Sequence, residues 1–171
     1  MTGSFRAFLD ANVLYPVSLR NLLMRLTLAK LFQALWSSDV HEEWIRAVLR
    51  DRPDLSAAQL HSVRAAMDEQ AADSLVTGYE FLIPSITLPD PDDRHVLAAA
   101  IVAGADVIVT RNLKDFPPES LARYRGRGAA SRRVRPPSHR PRPGDGRPIC
   151  PRPTGPPDQS AGQHERIVGA V

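Results

Sequence analysis

Arg6-Ala-Phe-Leu-Asp10 is a short apolar run that ends in a carboxylate, and such a run is typical of a buried strand. A second run, Val107-Ile-Val-Thr110, is β-branched and favours a central parallel strand. Segments with helical spacing of apolar residues lie between the two. Because strands that alternate with helices indicate the α/β class, we expect a three-layer sandwich with a central parallel sheet flanked by helices.

Four helices are predicted between these two strands. They cover residues 18–36, Asp39 to about Arg50, Ala57 to about Leu75, and Val96–Ala103. Asp39-Val-His-Glu42 fits a capping box at the start of the second helix. Asp92 or Asp93 is expected to cap the fourth, and Gly104 to close it. A further strand is expected at Phe81–Ile83 or at Ser85–Leu88.

The segment after Tyr124 has a different composition. Residues 125–171 contain 10 Arg, 9 Pro and 7 Gly, with no Phe, Trp, Tyr or Leu. Repeated proline opposes helices, and so little apolar surface cannot offset the entropy cost of ordering. We therefore expect a domain at residues 5–124 and a disordered tail at residues 125–171. Two interpretations of the tail stay open, a basic RNA-binding arm and the product of a shifted reading frame in a GC-rich gene.

The charge of the chain is divided in the same way. Residues 1–124 contain 12 Lys and Arg against 16 Asp and Glu, whereas the tail contains 10 Arg against 3 acids. The net charge of +3 therefore comes from the tail. Nucleic-acid binding by the domain would need a local site rather than overall charge.

The sequence also bears on compartment. No stretch reaches the roughly 18 uninterrupted apolar residues of a membrane span. The first ten residues lack the layout of a signal peptide, and the single Cys150 excludes an intrachain disulfide and a cysteine zinc site. We expect a cytoplasmic protein without membrane contact.

Carboxylates are the chemical groups that the predicted fold brings to one edge. Asp10 ends the first strand, Asp115 follows the Val107–Thr110 strand, and Asp93 opens a helix after an extended segment. Ligands bind at the carboxyl ends of strands in open α/β sheets. Oxygen ligands point to Mg²⁺ or Mn²⁺. No phosphate-binding glycine loop, HExxH motif or nucleophile elbow is present.

Structural roles compete with this interpretation. Asp93 is in a position where aspartate commonly caps a helix. Periodicity does not choose between Glu42 and Glu43, but the Asp39 capping box would occupy Glu42 and leave Glu43 as the freer acid. The histidines of the domain, at 41, 61 and 95, have no metal-ligand spacing and are expected to be surface or half-buried helix residues.

Three motifs together resemble the PIN-domain family. They are Phe8-Leu-Asp-Ala-Asn-Val-Leu14, Leu88-Pro-Asp-Pro-Asp-Asp-Arg-His-Val-Leu-Ala-Ala-Ala100 and Gly104-Ala-Asp-Val-Ile-Val-Thr-Arg-Asn-Leu-Lys-Asp-Phe116. Each is weak alone, but they occur in the family's order. The resemblance covers residues 5–124, and the closest branch is the VapC-type ribonuclease of prokaryotic toxin–antitoxin modules.

The resemblance implies a role for each polar residue at the strand ends. The four catalytic acids would be Asp10, Glu43, Asp93 and Asp115. Of these, Asp10, Asp93 and Asp115 would hold Mg²⁺ or Mn²⁺. The supporting residues would be Asn12, Asp90, Asp92, Thr110 and Asn112. Arg111 and Lys114 could contact RNA phosphates, although solvent-exposed loop charges are the plainer interpretation.

The implied function is metal-dependent hydrolysis of RNA phosphodiester bonds by a toxin that a cognate antitoxin holds inactive, with a homodimer as a common assembly. The motifs stop near Tyr124, where members of the family continue with a strand and a helix. A non-catalytic, truncated remnant that at most binds RNA or an antitoxin is therefore the alternative. A haloacid-dehalogenase-like phosphatase fits less well, because Asn12 stands where that family needs a second aspartate.

Overall fold

A computed structural model describes residues 5–124 and the backbone of Ile167–Val168. The strands are β1 Arg6–Leu9, β2 Gln33–Ser37, β3 Leu75–Val76, β4 Val107–Val109 and β5 Ile167–Val168. The α-helices are α1 Ala11–Leu14, α2 Val17–Leu28, α3 Ser38–Asp51, α4 Ala57–Gln70, α5 Arg94–Ala103 and α6 Pro118–Ala122. Two 3₁₀ helices cover Glu80–Ser85 and Leu113–Asp115.

The sheet has the order β3-β2-β1-β4-β5, and its first four strands are parallel. Its central strand, β1, is nearly free of polar side chains, and Phe8 and Leu9 are fully buried. Helix α5 is buried along Val96–Ala100, which is why its sequence reads as a continuous apolar run rather than an amphipathic one. The predicted α/β class with a central parallel sheet is confirmed.

Most of the tail predicted to be disordered lies outside the described residues. Within it, the backbone of Ile167–Val168 pairs antiparallel with Val109 and Ile108 of β4. In the part of the chain that the structure describes, no helix is long and apolar enough to cross a membrane.

The first predicted helix is wrong in its second half. Residues 18–36 divide into α2, which ends at Leu28, and β2, which begins at Gln33. Lys30 has a φ of 58°, a left-handed conformation that ends the helix. A short apolar run fits a buried strand as well as a helix, and the pairing of Leu35 with Phe8 of β1 decides in favour of the strand.

The region after α4 also differs from its prediction. Helix α4 ends at Gln70 rather than near Leu75, because Leu75 and Val76 pair with Trp36 and Ser37 at the edge of the sheet. The strand expected at Phe81–Ile83 or Ser85–Leu88 is absent from that stretch, where a 3₁₀ helix covers Glu80–Ser85 instead. Strand β3 has only two residues, which is too short for an alternation of apolar and polar residues to reveal it in the sequence.

The fourth helix agrees with its prediction. Asp93 occupies the N-cap position of α5, although its side chain makes no cap hydrogen bond, and Gly104 closes the helix with a φ of 60°. This left-handed conformation costs glycine little, because it has no Cβ. The chain therefore passes directly from α5 into β4. The carboxyl end of β4 leads into a polar loop that contains Thr110, Asn112 and Asp115.

Candidate functional site

The carboxyl ends of β1 and β4 lie side by side. Leu9 pairs with Val109 in the parallel register, and the Asp10 amide donates to the Val109 carbonyl at 3.1 Å. Asp10 and Thr110, the residues that follow the two strands, are therefore neighbours although 100 positions separate them. Both are buried.

A dense set of hydrogen bonds orients the Asp10 carboxylate. Its Oδ2 accepts from Asn12 Nδ2 and from Thr110 Oγ1, both at 2.6 Å. Thr110 Oγ1 in turn accepts from the Asn112 amide at 3.0 Å. Three residues expected to support the site thus surround Asp10. Burial raises the pKa of Asp10 and the charge of Glu43 adds to this, while the Thr110 hydrogen bond works in the opposite direction.

Three further carboxylates converge beside it. Oxygen atoms of Asp90, Asp93 and Asp115 all lie within 4.8 Å of one another. The Asp92 amide donates to Asp90 Oδ1 at 2.9 Å, and Asn112 Nδ2 donates to Asp115 Oδ2. The grouping therefore contains Asp90, which the family resemblance implied only as a supporting residue, in addition to Asp93 and Asp115.

The Asp93 side chain forms no hydrogen bond with another described residue. Asp93 stands at the N-cap of α5, yet its side chain makes no cap hydrogen bond. Burial raises its pKa to about 7, and the charges of Asp10, Asp115, Asp90 and Glu43 add to the rise. Asp10 lies outside the group of three but is close enough to act on Asp93. Helix capping therefore does not account for this aspartate.

The donor set fits a divalent metal ion. Several carboxylates share a partly buried space, and repulsion from the neighbouring acids disfavours the charged form of Asp93. A cation would remove that cost. Carboxylate oxygens without sulfur or imidazole in the converging group are ligands that suit Mg²⁺ or Mn²⁺.

Glu43 approaches the site from α3. Its Oε1 lies 3.1 Å from His95 Nε2, and the His95 side chain is 11% exposed. Burial alone would lower the pKa of His95, but the hydrogen bond to Glu43 and the charges of Glu43, Asp39 and Asp10 outweigh it, so the pKa is raised. The other ring nitrogen, Nδ1, is buried without a partner among the described residues.

His95 is a site residue that sequence reasoning missed. It was expected to be an ordinary surface or half-buried helix residue, and it is indeed partly buried. Its position two residues after Asp93 was the one available signal, but nothing local shows that Glu43 faces it. His41, expected to be at most half-buried, is fully buried, because Trp44 and Asp68 provide partners for both ring nitrogens.

The capping box expected at Asp39 is wrong. Ser37 caps α3 and accepts from the Val40 amide at 3.3 Å, while the Asp39 carboxylate accepts from Tyr79 Oη at 2.8 Å. Glu42 is exposed and lies 2.5 Å from Arg64 Nη1. Glu42 is thus engaged away from the site, for a different reason than the one predicted.

The remaining predicted residues lie at the rim. Asp92, Arg111 and Lys114 are exposed, and among the described residues neither cation forms an ion pair. The Arg111 amide donates to Asn12 Oδ1 at 3.0 Å, which ties the loop after β4 to α1. Arg111 lines a cleft beside the carboxylates, and Lys114 does not.

Comparisons with known proteins agree with this arrangement. The family model for the PIN domain matches residues 6–114. A Mycobacterium tuberculosis protein named "Putative ribonuclease VapC50" is 62% identical to this chain over 32 residues. These residues are 19% of this chain and 19% of that protein. No solved structure matches significantly. The matched family model spans most of the chain, from β1 to the loop after β4, and the chain belongs to the PIN-domain family.

Proposed function

We propose that this chain is a metal-dependent endoribonuclease that hydrolyses RNA phosphodiester bonds. The observation that carries the proposal is the Asp93 carboxylate, which has no hydrogen-bond partner in the part of the chain that the structure describes and lies close to other acids at the carboxyl edge of the sheet. Membership of the PIN-domain family and the name of the mycobacterial relative support a nuclease.

Asp10, Asp93 and Asp115 would hold Mg²⁺ or Mn²⁺, with Asp90 beside them. When bound, such an ion supplies Lewis-acid activation of water and of the scissile phosphate. The chain's own residues orient and shield the site. Asn12 and Thr110 hold Asp10, while Asn112 holds Asp115 and joins it to the same loop.

Glu43 is placed to accept a proton during hydrolysis. His95 contacts one of its oxygens, and the other, which has no partner among the described residues, would face a water molecule at the carboxylate edge. Arg111 and Lys114, which form no ion pair with another described residue, would draw RNA phosphates toward an otherwise acidic surface. In this arrangement the acids perform the reaction and the loop after β4 positions the substrate.

The biological role proposed is that of a toxin in a toxin–antitoxin pair in the cytoplasm. It rests on the resemblance to VapC-type proteins, which also suggests a cognate antitoxin and a homodimer. Coexpression with the neighbouring open reading frame tests this role. Growth arrest without that frame and recovery with it is the expected result, and arrest that persists with it would contradict the antitoxin assignment.

Cleavage of RNA by the full chain tests the enzymatic proposal. Wild type should cleave single-stranded RNA in Mg²⁺ or Mn²⁺ and stop in EDTA, and Asp10→Asn and Asp93→Asn should each lose about 100-fold or more in rate. Asp73→Asn is a matched control, because Asp73 is exposed and remote from the cluster. Equal rates in Asp10→Asn, Asp93→Asn and wild type would overturn the site assignment.

A further inference from the structure

A cleft of about 580 Å³ opens next to the carboxylates. It shares Asn12, Glu43 and Asn112 with the site, so the two are continuous. Its far end is formed by Tyr15 and Arg50, which none of the motifs singled out. The volume is within the range of about 300–1,000 Å³ that is typical of small-ligand pockets.

The aromatic wall of the cleft is held in place before any ligand binds. Tyr15 packs partly against the hydrophobic core, and its hydroxyl donates to Asp51 Oδ2 at 2.8 Å. One side of the ring is thus supported and its polar end is anchored. A ring that is already ordered loses little conformational entropy when a planar group stacks on it.

Small side chains leave room in front of this ring. Ala11 precedes Tyr15 by one helical turn, and Ala47 lies one turn before Asp51 on α3. Both line the cleft. A larger side chain at either position would fill part of the cleft.

The charges are arranged so that cations lie at the rim. Arg111 is exposed at the end nearer the carboxylates, and Arg50 lies at the other end, where its Nε donates to Asp51 Oδ1 at 2.9 Å. A substrate with phosphates on both sides of a planar base would meet a guanidinium at each end. Asp51 takes the Tyr15 and Arg50 hydrogen bonds, so its charge is compensated within the chain.

We propose that this cleft binds one nucleotide of single-stranded RNA next to the cleaved bond, with its base stacked on Tyr15, one phosphate near Arg111 and the following phosphate near Arg50. The inference rests on the proposed ribonuclease function. It makes Tyr15 a positioning residue that places the neighbouring bond in the carboxylate site. Stacking tolerates every base, so the cleft would impose single-strandedness more strongly than sequence.

Binding of a short fluorescein-labelled single-stranded RNA to the full chain tests this, with Ca²⁺ in place of Mg²⁺ and the RNA checked for integrity afterwards. Tyr15→Leu should weaken binding about tenfold, whereas Tyr15→Phe should stay within about twofold, because the ring is kept. Phe81→Leu, which removes an exposed aromatic ring elsewhere, should have no effect.

Two surface variants keep the test decisive if Tyr15→Leu is unstable. Ala47→Leu should fill the cleft and weaken binding about tenfold without lowering Tm. Arg111→Gln should weaken RNA binding and reduce its salt dependence by an amount that corresponds to about one fewer counterion released. The matched control is Arg25→Gln on α2.

RNA cleavage by wild type distinguishes a failure of the cleft inference from a failure of the ribonuclease proposal. If wild type cleaves RNA while Ala47→Leu and Tyr15→Leu bind as tightly as wild type, the cleft is not a nucleotide subsite and the ribonuclease proposal stands. If wild type neither binds nor cleaves RNA, the ribonuclease proposal and the inference fall together.

Discussion

Helix α3 contributes to two buried polar regions that differ in how completely they are satisfied. The His41 cluster consists of Trp36, His41, Trp44 and Asp68. In it, Trp44 Nε1 donates to His41 Nδ1 at 2.9 Å, and Asp68 Oδ1 accepts from Trp36 Nε1 at 2.8 Å and lies 3.1 Å from His41 Nε2. Every one of these polar atoms has a partner within the chain.

The carboxylate site, formed by Asp10, Glu43, Asp90, Asp93 and Asp115, is the opposite case. Its acids face one another, and burial and their mutual repulsion raise the pKa of Asp93 to about 7. His41 and Glu43 are two residues apart on α3, yet His41 serves the fully paired cluster and Glu43 serves the site in which Asp93 has no hydrogen-bond partner among the described residues. The difference indicates that the His41 cluster stabilises the fold, whereas the crowded carboxylates of the site cost stability.

Removing the central imidazole should have the largest effect on stability. His41→Leu keeps the approximate volume but leaves the buried Trp44 N–H without an acceptor, which should lower the free energy of unfolding by about 2–3 kcal/mol. Urea unfolding followed by fluorescence measures this. His61→Leu, at an exposed position on α4, is the control. A loss of less than about 1 kcal/mol would contradict the role of the cluster.

Removing the Asp93 carboxylate should change the free energy of unfolding in the opposite direction. The pKa of Asp93 is raised in the folded state, so its contribution to stability is present below its ordinary pKa of 3.8 and is lost as pH rises through about 7. Asp93→Asn should therefore stabilise the metal-free protein at pH 8 by on the order of 1 kcal/mol, because the site stays partly solvated. Urea unfolding at pH 8 and pH 4 measures it.

The same change should remove the response to metal. Mg²⁺ or Mn²⁺ should raise the Tm of wild type but not that of Asp93→Asn. If Asp93→Asn shifted stability equally at pH 4 and pH 8, repulsion within the carboxylate site would not be the cause.

The pH dependence of the His41 cluster should be smaller and should run the other way. Burial lowers the pKa of His41, against the opposing effect of Asp68, so the folded state holds a neutral imidazole. Stability from this group is present above its ordinary pKa of 6.5 and is lost as pH falls below it. Between pH 6.5 and 5 the free energy of unfolding should fall, by at most about 1.4 kcal/mol for each unit by which folding lowers this pKa.

A matched pair of variants separates the pH dependence of stability due to the His41 cluster from that due to the carboxylate site. Asp93→Asn and the double variant Asp93→Asn/His41→Leu differ at His41 alone. Their difference in unfolding free energy should narrow as pH falls. A constant difference from pH 6.5 to pH 5 would show that folding does not lower the pKa of His41.

The smallest effect is expected at the surface. Glu42→Gln breaks an ion pair with Arg64 in which Glu42 is 48% exposed, so stability should change by less than about 0.5 kcal/mol and RNA cleavage should not change. Glu43→Gln, one residue along, should lower cleavage about tenfold or more. Equal cleavage rates for the two variants would place Glu43 outside the reaction.

Sequence patterns predicted the elements whose signals are local. The apolar run ending at Asp10, the β-branched run at Val107–Val109 and the left-handed Gly104 each correspond to an element in the structure. Local signals failed where two structures share one pattern. The run at Gln33–Ser37 became a strand because β1 pairs with it, and Ser37 rather than Asp39 caps α3.

The sequence by itself determined the α/β class and placed Asp10, Asp93 and Asp115 at the ends of elements, because hydrophobic periodicity and end-capping chemistry are written over a few neighbouring residues. Only the tertiary structure decided that Asp90 joins the acids, that His95 meets Glu43 and that Tyr15 lines the adjoining cleft. Such contacts join residues far apart in the chain, and their distances depend on how strands and helices pack, which no local period encodes.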